Sequence, residues 1–255
     1  MPQAPIDYRA FLSGISFRYV QPDTPFPRHL SSLLRRFDAL GLSFQFVNTR
    51  VPPGEEARRD RLRAIFPVRK QSTLALALII SRIVSDLRAG TAYLNIGVLN
   101  GFTLFAGMVG NPDALCIGVD NGPRTASPDG PFLRRFHRLK SDQHRFHGMG
   151  YEEYFARVHR DPIGFYLYDA DHSYAHQLRN LRLAEPFFTD DCLVLIDDTN
   201  ADPVRRATLD FLASTRNRYE TLLDVRTRRD RHPTWWNGAM LMRRVRMTSP
   251  TVEAP

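Results

Sequence analysis

Residues 165 to 178, FYLYDADHSYAHQL, form an apolar run that ends in Asp169, Asp171 and His172 and then takes on a helical pattern. A second apolar run, CLVLID at 192 to 197, ends in Asp197 and Asp198, followed by Thr199 and Asn200. Neighbouring parallel strands lie roughly 4.8 Å apart, so carboxylates at two such ends can converge on one cation. Asp169, Asp197 and Asp198, with positions left for water, suit a hard divalent ion such as magnesium. Left unpaired, these acids would repel and raise one another's pKa. His172 titrates near neutrality and is the candidate general base, with His176 one helical turn further on as the alternative. A plainer reading makes the acids helix caps, Asp171 for a helix from Tyr174 and Asp198 or Asn200 for one from Pro203. Capping accounts for one or two of them, but not for four acids at two strand ends.

A nucleoside-type site is suggested by NIGVLNGFTLFAG, where Gly97 and Gly101 flank a tight turn before a helix. Glycine lets the backbone approach a ligand closely, and the helix N-terminus adds a positive dipole end. Nineteen residues beyond Gly101 an apolar run ends in Asp120, the position from which a carboxylate can accept both hydroxyls of a ribose. Glycine at a strand-to-helix turn is common for steric reasons alone, and the following strand that ends in Asp adds the ribose acceptor. The lack of a middle glycine among Val98, Leu99 and Asn100 speaks against a dinucleotide site.

The elements that must position these residues are legible as a grain of apolar strands and amphipathic helices. Strands are predicted at 92–98, 114–120, 144–149, 164–169, 192–197, 219–225 and 238–245. Helices are expected near 73–87, 101–109, 131–139, 151–159, 174–188 and 203–215. Continuous apolar strands joined by helices mean a parallel sheet covered on both faces, and ligands of such sheets bind at the carboxyl ends of the strands. The last two strands are joined by a charged loop with no room for a helix, so the final one returns antiparallel. Residues 1–71, rich in proline and arginine, read as an N-terminal helical cap, with helices near 29–40, ended by Gly41, and 55–65. The catalytic domain is read as 72–247 and a flexible tail as 248–255.

Over about residues 72 to 245 the chain resembles class I S-adenosylmethionine-dependent methyltransferases: seven strands with a late antiparallel one, the Gly97–Gly101 turn, and Asp120. That resemblance implies an α/β, Rossmann-like, doubly wound seven-stranded sheet, mostly parallel with the last strand antiparallel. It implies donor contacts from Asn95, Gly97, Gly101, Asp120, Asn121, Met149 and Asp169. The family carries an acid where this chain has Asn95, and commonly another where Met149 and Gly150 stand. The Asp-x-Asp-His run followed by paired acids is similar to the metal-dependent O-methyltransferases of the macrocin and mycinamicin type, which methylate sugar hydroxyls. By position this implies metal binding by Asp169, Asp197 and Asp198 and a catalytic pair of Asp169 and His172. The expected function is a methyltransferase that uses S-adenosylmethionine and magnesium, or another divalent cation, on a hydroxyl of a sugar or other natural product. Two alternatives stand beside it: a same-fold enzyme of different chemistry, similar to the cephalosporin hydroxylases, and a binding protein with lost donor affinity.

Bulk properties bound these readings. The 255 residues, 43% of them hydrophobic, suffice for one sizeable core. The most apolar stretch, 74 to 84, is broken by Arg82, so no membrane span is expected, and the N-terminus lacks the order of a secretory signal. Cys116 and Cys192 sit in apolar runs as small core residues, which suits a reducing cytoplasm. The net charge of +8 rests almost wholly on arginine, a pattern of base composition or of an anionic acceptor met by RRFHRLK, RTRRDRH and RRVR. No recognition motif supports nucleic acid. Trp235 and Trp236 are candidates for a pocket floor, a core anchor or a dimer contact, a homo-oligomer being one expectation.

Overall fold

A computed structural model describes residues 7–40, 42–122, 124, 125 and 127–246. The stop expected at Gly41 and the tail at 248–255 lie outside the described residues. Helix α1 (Tyr8–Ser13) starts where the Asp7 carboxylate accepts from the backbone N–H groups of Arg9 and Ala10, which satisfies two of the donors a helix start leaves open. Strand β1 (Ser16–Phe17) pairs antiparallel with β2 (Thr49–Arg50), and between them lie α2 (Arg28–Ala39) and α3 (Phe44–Asn48). Helix α4 (Glu56–Leu62) and a short 3-10 turn (Arg63–Ile65) follow. The cap is therefore helical with a small ribbon that sequence reading did not anticipate.

Helix α5 (Leu74–Ser85) begins at Thr73, whose hydroxyl accepts from the Leu76 N–H. It is apolar almost all round because it is buried almost all round. Strand β3 (Ala92–Ile96), α6 (Phe102–Met108), β4 (Leu115–Val119), α7 (Pro131–Leu139) and β5 (His144–His147) come next. Then follow α8 (Tyr151–Glu153) with a π turn at Tyr154–Val158, β6 (Ile163–Tyr168), α9 (Tyr174–Ala184), β7 (Phe188–Asp197), α10 (Asp202–Ser214), β8 (Arg218–Val225) and β9 (Ala239–Val245).

The strands form one seven-stranded sheet in the order β5-β4-β3-β6-β7-β9-β8. Strand β9 runs antiparallel to both β7 and β8, as expected of the final strand, and it inserts between them. Successive strand residues point to opposite faces. Tyr93 therefore belongs to the core cluster that holds α5, α6 and the N-terminal residues Phe11, Leu12 and Phe17, while Leu94 and Ile96 join the core around Leu181 and Phe211. The cap thus shares a core with the sheet. Trp235 is buried edge-on against Phe17, with ring centroids 5.6 Å apart, and Trp236 is buried beside it. They anchor the β8–β9 loop to that core. Cys116 and Cys192 are buried and unbridged.

The register aligns the sheet's chemistry in a row. Ile96 pairs with both Val119 and Tyr168, and Tyr168 with Ile196. One residue further along each strand stand Asp120, Gly97, Asp169 and Asp197, side by side at the carboxyl edge.

Candidate active site

Gly97 is where the sequence, the backbone and the site meet. It sits at φ +85°, and a Cβ there would collide with the carbonyl oxygen of Asp169. Only glycine lets β3 turn away this close to β6, which brings the glycine turn against the first acid of the cluster. Gly101, at φ +97°, opens α6, where a Cβ would strike the Phe105 ring.

A cleft of about 570 Å³ lies over this edge, within the ordinary range for a small-molecule site. Gly97, Asp120, Asn121, Met149 and Asp169 all line it, as do His172 and His176. The Asp120 carboxylate is already held by four donors. Its Oδ2 accepts from the N–H groups of Val98 (2.8 Å) and Leu99 (2.7 Å), and its Oδ1 from Gly122 N–H (2.6 Å) and the Thr125 hydroxyl (3.1 Å). Asp120 thus clasps the glycine turn, and a ribose reaching it shares its oxygens with these groups.

Asn95 is placed otherwise than its candidacy for donor binding required. It is fully buried, accepts from the Thr103 hydroxyl at 2.8 Å and donates to the Gly97 carbonyl at 3.2 Å. It does not line the cleft. Residues beyond the candidate set also line it. Gln71 lines the cleft, and Ser72 lines a narrow gap running past Leu99 and Asn100 to Asp169. The Ser72 hydroxyl is buried with no hydrogen-bond partner, a costly state for a polar group. Tyr151 enters from the far side, its hydroxyl 2.8 Å from His176 Nδ1. No spacing in the sequence marks these positions.

At the acidic end, ligand atoms of Asp169, His172 and Asp198 all lie within 4.8 Å of one another. His172 Nε2 is 3.0 Å from Asp198 Oδ2, whereas Asp198 Oδ1 is buried without a partner. Asp197 does not join this set. It is buried, and its Oδ1 accepts the N–H of Asp198 at 2.9 Å. The chain turns between the two acids, with Asp198 at φ +58°, a left-handed conformation that is uncommon and strained for a residue with a side chain. Capping does not explain these acids: the cap of α9 is Ser173, and α10 has no side-chain cap. The Asp171 carboxylate accepts from Ser173 N–H at 2.7 Å, and its backbone carbonyl accepts from the Tyr168 hydroxyl at 3.1 Å. Asn200 ties the β8–β9 loop down by exchanging hydrogen bonds with Thr227.

The electrostatics follow from this crowding. Burial, then the neighbouring Asp197 and Asp198, push the Asp169 carboxyl well above the usual range. Burial and Asp198 do the same to Asp197. The hydrogen bond to Asp198 raises the imidazole of His172 above its ordinary value. Mutually repelling carboxylates and an orphaned buried oxygen, together with oxygen and imidazole donors in reach of one point, fit a divalent cation.

Residues 94–199 match the family model described as a methyltransferase domain. None of the curated proteins matches the chain by sequence. Among solved structures, the chain is similar to cofactor-bound Rv0187 from MTB (TM-score 0.54, 15% identity, 87% of this chain and 98% of that one). It is also similar to an O-methyltransferase from Bacillus cereus in complex with SAH (TM-score 0.50, 14% identity, 87% and 92%). A third similar structure is the apo form of a TDP-rhamnose 3′-O-methyltransferase of calicheamicin biosynthesis (TM-score 0.54, 14% identity, 87% and 97%). The chain shares the fold of these structures, and the stretch that matches the methyltransferase-domain model, residues 94–199, carries the cleft at the sheet's carboxyl edge. No helix among the described residues is long and apolar enough to cross a membrane.

Proposed function

We propose that the protein is a divalent-cation-dependent O-methyltransferase that transfers the methyl group of S-adenosylmethionine to a hydroxyl of a small organic acceptor. The observation that carries this reading is the convergence of Asp169, His172 and Asp198 within 4.8 Å, directly against the glycine turn of the cleft. A sugar-type hydroxyl as acceptor is in keeping with the similarity to the TDP-rhamnose 3′-O-methyltransferase.

Asp169 and Asp198 would hold the cation, with His172 at its border. A cation bound there supplies Lewis acidity, lowering the pKa of an acceptor hydroxyl and orienting it. Asp120 and the N–H groups it clasps fix the turn on which the donor rests. The apolar walls, Ile96, Val119 and Met149 among them, exclude water from the donor's nucleoside end. His172 donates Nε2–H to Asp198 Oδ2 in one tautomer, which leaves Nδ1 as the nitrogen that takes the acceptor's proton. Asp198 then stabilises the imidazolium that forms, the role of the orienting acid in an Asp–His pair.

Calorimetry with S-adenosylhomocysteine tests the donor half of this reading, and titration with magnesium tests the cation half. Heat with both is the expected result. Absence of heat with the nucleoside would remove the methyltransferase mechanism, and absence with magnesium and manganese would remove the cation.

A further inference from the structure

A second cavity of about 450 Å³ is walled by residues 67–70, the segment that runs directly into Gln71 of the donor cleft. Helix α2 contributes Ser32, Arg36 and Asp38 to it, and the segment before α5 contributes Arg69 and Lys70. Arg69 and Lys70 also line the narrow gap that leads past the glycine turn to Asp169. The cavity is thus linked by shared wall residues to the place where the methyl group would be transferred.

Its interior is built around a buried charge pair. Lys70 Nζ lies 2.8 Å from Asp38 Oδ2, with the two side chains only 3% and 5% exposed. The ammonium also donates to the Phe66 carbonyl and sits 4.2 Å from the centre of the Phe66 ring. Desolvating such a pair is expensive unless its remaining lone pairs are satisfied. Asp38 Oδ1 is not: it is buried and accepts no hydrogen bond. Asp38 is one of the residues lining the cavity, so a donor for that atom can come from whatever fills it. The guanidinium groups of Arg36 and Arg69 make the cationic lining exceed the anionic, and both residues are exposed. One lining position therefore demands a hydroxyl-type donor, and two favour an anion that arginine can grip bidentately.

We propose that this cavity is the acceptor site and that its ligand is an anionic polyol, of the sugar-acid or sugar-phosphate class. A ligand hydroxyl donates to Asp38 Oδ1, the anionic group lies against Arg36 and Arg69, and the reacting hydroxyl points through the gap toward Asp169. The assignment of the cavity to the acceptor rests on the methyltransferase reading above. The existence of an anionic-polyol site does not.

The test is calorimetry on the full chain, with S-adenosylhomocysteine titrated first and then glucuronate and glucose 6-phosphate as separate probes. It is run on the wild type, on Arg36→Gln and on Ser32→Trp, the last placing a bulky ring in the cavity from an exposed helix position. The expected result is binding of at least one probe to the wild type. In both variants that affinity should fall about tenfold or more, the cost of one charge-assisted contact, with nucleoside affinity unchanged. Two results overturn the site: neither probe binds a wild type that binds the nucleoside, or all three proteins bind the probes equally. If the nucleoside fails to bind while the probes bind and the variants lose them, the methyltransferase reading falls and the anionic-polyol site stands.

Discussion

His172 Nε2 lies 3.0 Å from one oxygen of Asp198, and the other oxygen of the same carboxylate is buried without a partner. One side chain therefore orients an imidazole with one atom and offers an unsatisfied ligand with the other. A pure ion pair would leave no reason for the second oxygen to be kept dry and bare.

Base and ligand should separate by mutation. His172→Ala is expected to lower turnover by roughly a hundredfold to ten-thousandfold, with S-adenosylhomocysteine affinity unchanged in calorimetry. The proton-accepting role belongs elsewhere if the variant turns over like wild type while His176→Ala is inactive.

Cation binding should appear as stability. Magnesium at a hundred times its dissociation constant should stabilise the fold by about 2.7 kcal/mol, because it relieves the repulsion that raises the Asp169 and Asp197 carboxyls. Differential scanning calorimetry should show the rise in Tm for wild type and little or none for Asp198→Asn. An equal rise in both would place the cation away from this cluster.

Gly97→Ala should fail locally. The φ of +85° and the collision with the Asp169 carbonyl impose strain of about 1–3 kcal/mol, beyond the displacement of β3 from β6. The expected outcome is a folded protein of lower Tm that no longer binds the nucleoside measurably. Unaltered affinity would mean that the turn does not carry the donor.

Much of this was legible before the structure. The run at 92–96 announces a strand because a sheet covered on both faces needs apolar residues in succession, and every residue of β3 is buried. The paired ribbon of residues 16–17 and 49–50 is not legible, because two-residue strands with residues 18–48 between them leave no local period. Asp197 and Asp198 read as equivalent ligands, yet the left-handed backbone at Asp198 separates them, and nothing in an Asp-Asp dipeptide signals that conformation. Asn95 stands at the expected offset from Gly97 but faces α6, where it accepts from the Thr103 hydroxyl. Spacing locates a residue along the strand, while the face it takes is set by packing.

Protonation should divide the histidines. Burial holds His144, His159 and His232 below the ordinary value of about 6.5, whereas Asp198 holds His172 above it. For the first three, the unfolded chain binds protons that the folded one refuses. Their neutral-state stability is therefore complete above about pH 6.5 and is lost as pH falls from there toward the folded values. His172 has the opposite sign: its pairing stabilises fully below about pH 6.5 and fades as pH rises through its raised value. Proton NMR titration of the imidazoles should show this split in metal-free protein, and a His172 that titrates with the buried group would contradict the Asp198 pairing.

The most direct measurement is transfer of a radiolabelled methyl group from S-adenosylmethionine to a panel of sugar acids, sugar phosphates and neutral glycosides. It is made with magnesium, after exhaustive chelation, and after magnesium is restored. The expected result is label in a small-molecule ether that disappears on chelation and returns with the cation. Transfer that is unchanged after exhaustive chelation would contradict the account, leaving Asp169, His172 and Asp198 as a structural cluster beside a cation-independent enzyme.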